Sequence, residues 1–196
     1  EKIEEEVIKK FPTARSAIMT SDEIKDLDIA KRVVDTIVDG KIDIIIGTQM
    51  IAKGYHFPKL ALVGVVDGDA SFYNNSLRTS EKSYQLLTQI IGRAGREKYS
   101  GQVLIQSYNV KNPIFDYIIK QDRDRFLYQE LSQRKMLKLP PFGKMAEIIV
   151  NDFDPKVAIE TLRSILKNSC FDSNVQILGP APMPVTKIKN RFYYRL

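Results

Sequence analysis

Gln89, Gly92, Arg93, Gly95 and Arg96 put one amide, two glycines and two arginines at the end of a helix-like pattern. Arginine keeps its charge and presents a planar fork of donors, which suits a phosphate. Glycine lets the backbone turn sharply or come close to a ligand. A second run lies upstream: Gly47, Thr48, Gln49, Met50, Ile51, Ala52, Lys53, Gly54, Tyr55, His56, Phe57 and Pro58, directly after the apolar stretch 42–46. A glycine and a threonine after a buried strand bring N–H and hydroxyl groups to the carboxyl edge of a sheet, where open α/β folds bind ligands. Thr48 can hold a nucleic-acid phosphate, a contact that positions without reading sequence. Lys53 adds a point charge, and Gly54 leaves room for close approach.

These runs need elements to hold them. Helical spacing at 1–10 stops at Pro12, and 14–19 reads as a strand. Residues 25–39 read as an amphipathic helix ended by Gly40, with Leu27, Ala30, Val34, Ile37 and Val38 on one face. Strands follow at 42–46, 60–66 and 102–107, with a helix at 81–91 that turns Tyr84, Leu86, Leu87 and Ile90 inward. This rhythm predicts an α/β layer around a parallel sheet flanked by helices. Helical stretches at 113–120 and 123–135 follow, as two helices or one kinked helix. Leu139, Pro140, Pro141, Phe142 and Gly143 then mark a boundary. The expected domains are 1–138 and a small α+β domain at 139–196. The second comprises a strand at 144–150, a helix at 155–168 opened by Pro155, a strand at 175–178, a stiff connector at 179–184 and a last strand at 185–196.

In that last strand Lys187, Lys189, Arg191, Tyr193 and Arg195 alternate with Ile188, Phe192, Tyr194 and Leu196. A single extended strand would gather the basic set on one face, able to neutralise phosphates while Tyr193 stacks on a base. A solvated, lysine-rich sheet edge is the alternative reading. Asp67 and Asp69 are read first as turn residues and only second as a metal pair, and Arg78 with Glu81 as an ion pair at a helix entry. His56, the one histidine, reads equally as a turn residue packed beside Phe57 and Pro58.

The 196 residues carry a net charge of +6 and 43% hydrophobic residues, enough for a real core and a weak pointer to a polyanionic partner. One cysteine, Cys170, excludes an internal disulfide framework and fits a reducing cytoplasm. No run is long and apolar enough for a membrane span. The first residue is Glu1, and both ends read as cuts inside a longer polypeptide.

The two glycine-bearing runs together resemble motifs V and VI of the second, RecA-like motor lobe of superfamily 2 helicases. The wording from Gly47 to Pro58 narrows this to the bacterial primosomal replication-restart helicases, although most related motors carry an acid where His56 stands. Asp67-Gly-Asp69, Arg78 with Glu81, the junction from Arg134 to Gly143, and Leu178 to Pro182 before a basic aromatic strand also resemble that family, so the similarity covers nearly the whole chain. The resemblance implies a piece of an ATP-dependent 3′-to-5′ DNA helicase acting at stalled forks. Gln89, Arg93 and Arg96 would contact the nucleotide phosphates, with Arg96 as arginine finger and Gly54, Gly92 and Gly95 giving close approach. Thr48, Gln49 and Lys53 would grip DNA, joined by Lys187, Lys189, Arg191, Tyr193 and Arg195. ATP and Mg²⁺ would be held mostly by a first lobe, and the family's zinc by cysteines that this chain lacks. Implied partners are single-stranded and forked DNA, single-stranded-DNA-binding protein and primosome proteins, in the cytoplasm near the nucleoid and away from membranes. The stretch 18–22 lacks the arginine and first acid usual in the family, and no phosphate-loop lysine motif occurs. An idle DNA-binding module from a split or degenerate gene, and the second lobe of another superfamily 2 translocase, are the alternatives. The isolated chain is expected to be inactive.

Overall fold

The structure, a computed structural model, describes residues 2–20, 27–48, 57–72, 76–95, 101–170, 172 and 174–196. The chain divides into two compact units, Glu1–Phe126 and Leu127–Leu196.

In the first unit, helix α1 (Lys2–Lys10) precedes strand β1 (Ser16–Met19), helix α2 (Leu27–Val38) and strand β2 (Ile44–Gly47). β1 and β2 pair in parallel, Ser16 opposite Ile44 and Met19 opposite Gly47. α2 covers this ladder because apolar residues recur at helical spacing. Met19, Ala30 and Phe57 form a buried cluster with Val33, Val34, Ile37, Ile45 and Leu60 against it. Val38, expected on that face, is exposed. Positions 30, 34 and 37 already fill the stripe and Val33 completes it, so Val38 falls a further tenth-turn or more outside. The helix ends as expected at Gly40, which takes a left-handed φ of 74°.

Strand β3 (Leu62–Val65) leads through a 3-10 helix (Gly68–Phe72) to helix α3 (Thr79–Ile91) and strand β4 (Gln102–Ile105). β3 and β4 are again parallel, Leu62 opposite Gln102 and Val65 opposite Ile105. Helix α4 (Pro113–Ile119) is capped by Asn112, whose side chain accepts from the Ile114 N–H, with Pro113 in the first turn. Helix α5 (Arg123–Met136) is separate from α4 rather than its kinked continuation. Gln121 adopts a left-handed φ of 53° between them, which breaks the helical path. Tyr84 of α3 stacks on Phe126 at 4.3 Å, and Leu87, Ile114, Phe115 and Ile118 are buried. The parallel α/β character expected of this unit is thus present.

The second unit is α+β. Strand β5 (Ile149–Asp152), helix α6 (Pro155–Asn168), strand β6 (Ala181–Ile188) and strand β7 (Arg191–Arg195) build an antiparallel sheet in the order β5-β7-β6. α6 matches its expected bounds. Asp154 caps it by accepting from the Lys156 N–H at 2.8 Å, Pro155 opens it, and Ala158 and Leu162 are fully buried one turn apart against β5 and β7. Four expectations fail here, the connector at 179–184 among them. Residues 144–148 are irregular and the strand starts at Ile149; 175–178 is not a strand; and 185–196 is not one strand. Lys189 and Asn190 both have positive φ, 48° and 65°, so the chain reverses there into a β6–β7 hairpin. The proline-rich stretch becomes part of β6 because β6 is an edge strand, where a missing N–H costs no ladder bond.

Candidate nucleotide and nucleic-acid interface

α3 carries Gln89 to its last turn, exposed. Glu81 in the first turn accepts from Arg78 Nε at 3.2 Å, the expected ion pair at the helix entry. At the other end the helix tightens rather than stopping. The Arg93 N–H donates to Ile90 O and the Ala94 N–H to Ile91 O, both three residues back. Gly92 keeps a right-handed φ of −65°, and it is Gly95, at φ 69°, that reverses the chain. The Gly95 N–H then donates to Leu60 O at 3.2 Å, just before β3. Arg93 is half-buried, four residues beyond Gln89 and so one helical turn away. Arg96 lies outside the described residues.

Thr48 is exposed, one residue past the last residue of β2. Met19, wholly buried, faces Gly47 in register and anchors that strand end. Gln49, Lys53, Gly54 and His56 lie outside the described residues. The chain re-enters at Phe57, buried in the α2 cluster. Leu60 packs on the same cluster, donates to Phe57 O at 3.3 Å and accepts from Gly95. Leu60 is therefore a common footing: one side ends the segment that began at Thr48, the other seats the arginine loop. Leu60 did not stand out in the sequence, because it acts through a backbone approach that residue type alone does not announce.

Asp69 is buried and fully used. It accepts from Ser107 Oγ at 2.9 Å and from the Tyr108 N–H at 2.6 Å, tying the 3-10 helix to the end of β4. Asp67 has a φ of 57° and its carbonyl accepts from the Ala70 N–H. This is the turn role expected first for the pair. Among the described residues, no group of three or more His, Cys, Asp and Glu could hold a metal ion.

The hairpin redistributes the basic residues. Lys187 faces Phe192 in register, its Nζ 5.0 Å from that ring, while Ile188 faces Arg191. Lys187 therefore lies on the sheet face opposite Arg191, Tyr193 and Arg195, and Lys189 is in the turn. The single five-residue basic face expected from an unbroken strand does not form. Arg191 donates to Asn151 Oδ1 at 2.8 Å and lies 4.4 Å over the Phe153 ring. Arg195 pairs with Glu147 at 2.9 Å. What remains is a smaller face of Arg191, Tyr193 and Arg195 beside Asn151 and the exposed Phe153.

The described part of the arginine loop fits a phosphate at its edge: an exposed amide, a half-buried guanidinium one turn on, and a glycine-reversed backbone. It offers one side of such a site, since Gln89 and Arg93 bring donors but no carboxylate for a metal ion.

A parallel α/β unit carrying such a loop is followed in the chain by a small unit with an antiparallel sheet. The helicase conserved C-terminal domain matches residues 9–98, and the primosomal protein N C-terminal domain matches residues 135–196. The replication restart protein PriA of Rickettsia prowazekii (strain Madrid E) is 41% identical over 196 residues, covering 100% of this chain and 30% of that protein. Its namesake in Bacillus subtilis (strain 168) is 34% identical over 198 residues, 100% of this chain and 24% of that protein. The one in Synechocystis sp. (strain ATCC 27184 / PCC 6803 / Kazusa) is 33% identical, with the same coverage. The chain is similar over its whole length to these replication restart PriA proteins and spans 24–30% of their length. Among the described residues no helix is long and apolar enough to cross a membrane.

Proposed function

We propose that the chain serves as the second motor lobe and part of the carboxy-terminal domain of an ATP-driven, 3′-to-5′ DNA helicase in replication restart, with 139–196 as the appended domain. The observation that carries this reading is the footing at Leu60, which seats the arginine loop on the segment that leads from Thr48. Gln89, Arg93 and Arg96 complete an ATP site whose Mg²⁺ and remaining phosphate contacts belong to a first lobe, with Gly54, Gly92 and Gly95 keeping the approach open. ATP supplies the driving hydrolysis. Arg96 offsets charge on the transferring phosphoryl group. Thr48, Gln49 and Lys53 hold the DNA backbone, and closure of the cleft between lobes moves it. Zinc, single-stranded-DNA-binding protein and primosome partners belong to the same reading, as does a cytoplasmic setting. The isolated chain hydrolyses no ATP, because it lacks the phosphate-loop half of the site.

The test is ATP hydrolysis by the intact protein, with and without forked DNA, comparing wild type with Arg96→Ala. Turnover falls on the order of 10³-fold while DNA binding persists. Intact turnover in the variant would leave the lobe as a DNA-docking scaffold.

A further inference from the structure

β4 begins where space is tight. The Gln102 N–H donates to Ala61 O at 2.8 Å, one residue beyond the carbonyl that accepts from Gly95. The arginine loop and the start of β4 therefore hang side by side from consecutive carbonyls, Leu60 and Ala61. Gly101 lies at their meeting. A Cβ built on Gly101 would collide with the backbone nitrogen of Gly95 and the carbonyl carbon of Ala94. No flexible side chain is there to move aside. By contrast Gly64, in the middle of β3, has nothing within 4 Å of such a Cβ. Gly92, inside the loop itself, would meet Thr88 O at 3.4 Å and Gln89 O at 3.7 Å, ordinary contacts.

We propose that Gly101 is a positioning residue for nucleotide turnover: its missing side chain lets β4 start directly against Ala94 and Gly95 and so holds the arginine loop on Leu60. Gly101 lies beyond the helicase domain match, which ends at residue 98. The proposal rests on the reading of Gln89 to Arg96 as the phosphate-facing segment. Any larger residue at 101 drives the loop off its seat. The Gly95 N–H loses its acceptor, and Arg93, two residues back, shifts with the turn. A displacement on the order of 1 Å at a charge-stabilising group costs up to about 10²-fold in rate. It leaves untouched the exposed strand end at Thr48 and the Arg191 face.

The experiment compares Gly101→Ala, Gly64→Ala and Arg93→Ala in the intact protein. It reads kcat and KM for ATP with single-stranded DNA, DNA affinity and thermal melting. Gly101→Ala is expected to lower kcat at least about tenfold with KM for ATP and DNA affinity unchanged, and Gly64→Ala to match wild type. Equal kcat in Gly101→Ala and Gly64→Ala would overturn the proposal. So would joint loss of DNA affinity and cooperative melting in Gly101→Ala, since the glycine would then hold the domain and not the loop. If Arg93→Ala and Arg96→Ala both leave kcat intact, the phosphate-facing reading has failed and takes this inference with it. If they lower kcat and Gly101→Ala does not, only the role of Gly101 falls.

Discussion

Asp69 shows how one residue can look like chemistry and be architecture. Two aspartates at a strand end resemble a cation site, yet Asp69 already spends its oxygens on Ser107 and Tyr108. Hydrogen bonds to a buried charge each contribute on the order of 1.5–3 kcal/mol, and an orphaned donor costs about as much. Asp69→Ala is therefore expected to lower unfolding stability by about 3 kcal/mol, and Asp69→Asn by less, since one carbonyl oxygen remains to accept. Urea denaturation checks this. Repeating it in Mg²⁺ separates the roles: a midpoint that rises with Mg²⁺ in wild type and not in Asp69→Ala would make the carboxylate a ligand. With both oxygens bonded inside the fold, the midpoints are expected to rise or stay together. The same scale explains why two loop glycines differ. Gly95 needs its left-handed φ, whereas Gly92 lies in the right-handed region with room for a methyl group.

At the scale of elements, legibility followed how locally each was specified. α6 could be read to the residue because Asp154, Pro155 and the buried pair Ala158 and Leu162 are all short-range signals. The parallel strands were legible as apolar runs bounded by turns. The β6–β7 hairpin was not, because its turn uses Lys189-Asn190 rather than a glycine pair, and the basic-aromatic alternation runs on through it, broken only at Asn190. The β1–β2 clamp was equally silent. Arg15 donates through Nε and Nη2 to both oxygens of Asp43, and its own N–H reaches the same carboxylate. These partners are 28 residues apart and no periodicity links them. The Arg15 side chain and backbone donors hold the Asp43 carboxyl well below its ordinary value of 3.8, and Arg15 is raised in turn. A depressed folded value stabilises the fold above the unfolded value and stops doing so as pH falls through the folded one. The stability gap between wild type and Asp43→Asn is thus expected to be full near pH 6 and to narrow below about pH 4. Both partners are exposed, so the gap is small and shrinks in salt. A gap constant from pH 7 to pH 2 would show that the clamp acts through neutral hydrogen bonds.

For the whole molecule, the net charge of +6 matters less than where the hairpin puts it. An unbroken strand would have made Lys187, Lys189, Arg191 and Arg195 equivalent toward DNA. The fold instead sets Arg191 and Arg195 with Tyr193 on one face, Lys187 on the other and Lys189 at the tip. Each phosphate neutralised on single-stranded DNA contributes about 0.7 to the slope of log affinity against log salt. Arg191→Ala with Arg195→Ala is expected to flatten that slope by about 1.4, and Tyr193→Ala to weaken binding at every salt concentration without changing it. Lys187→Ala is expected to leave the slope alone. Arg195 also neutralises Glu147, so its loss exposes a repelling carboxylate as well as removing a donor. Glu147→Gln alongside Arg195→Ala separates the two effects, because only the lost phosphate contact survives that pairing. If Lys187→Ala flattens the slope while the arginine pair does not, the phosphates run over the Phe192 face. If Lys187, Lys189, Arg191 and Arg195 all changed to alanine leave it unchanged, the phosphates are held outside this sheet, and the carboxy-terminal unit contributes shape rather than charge.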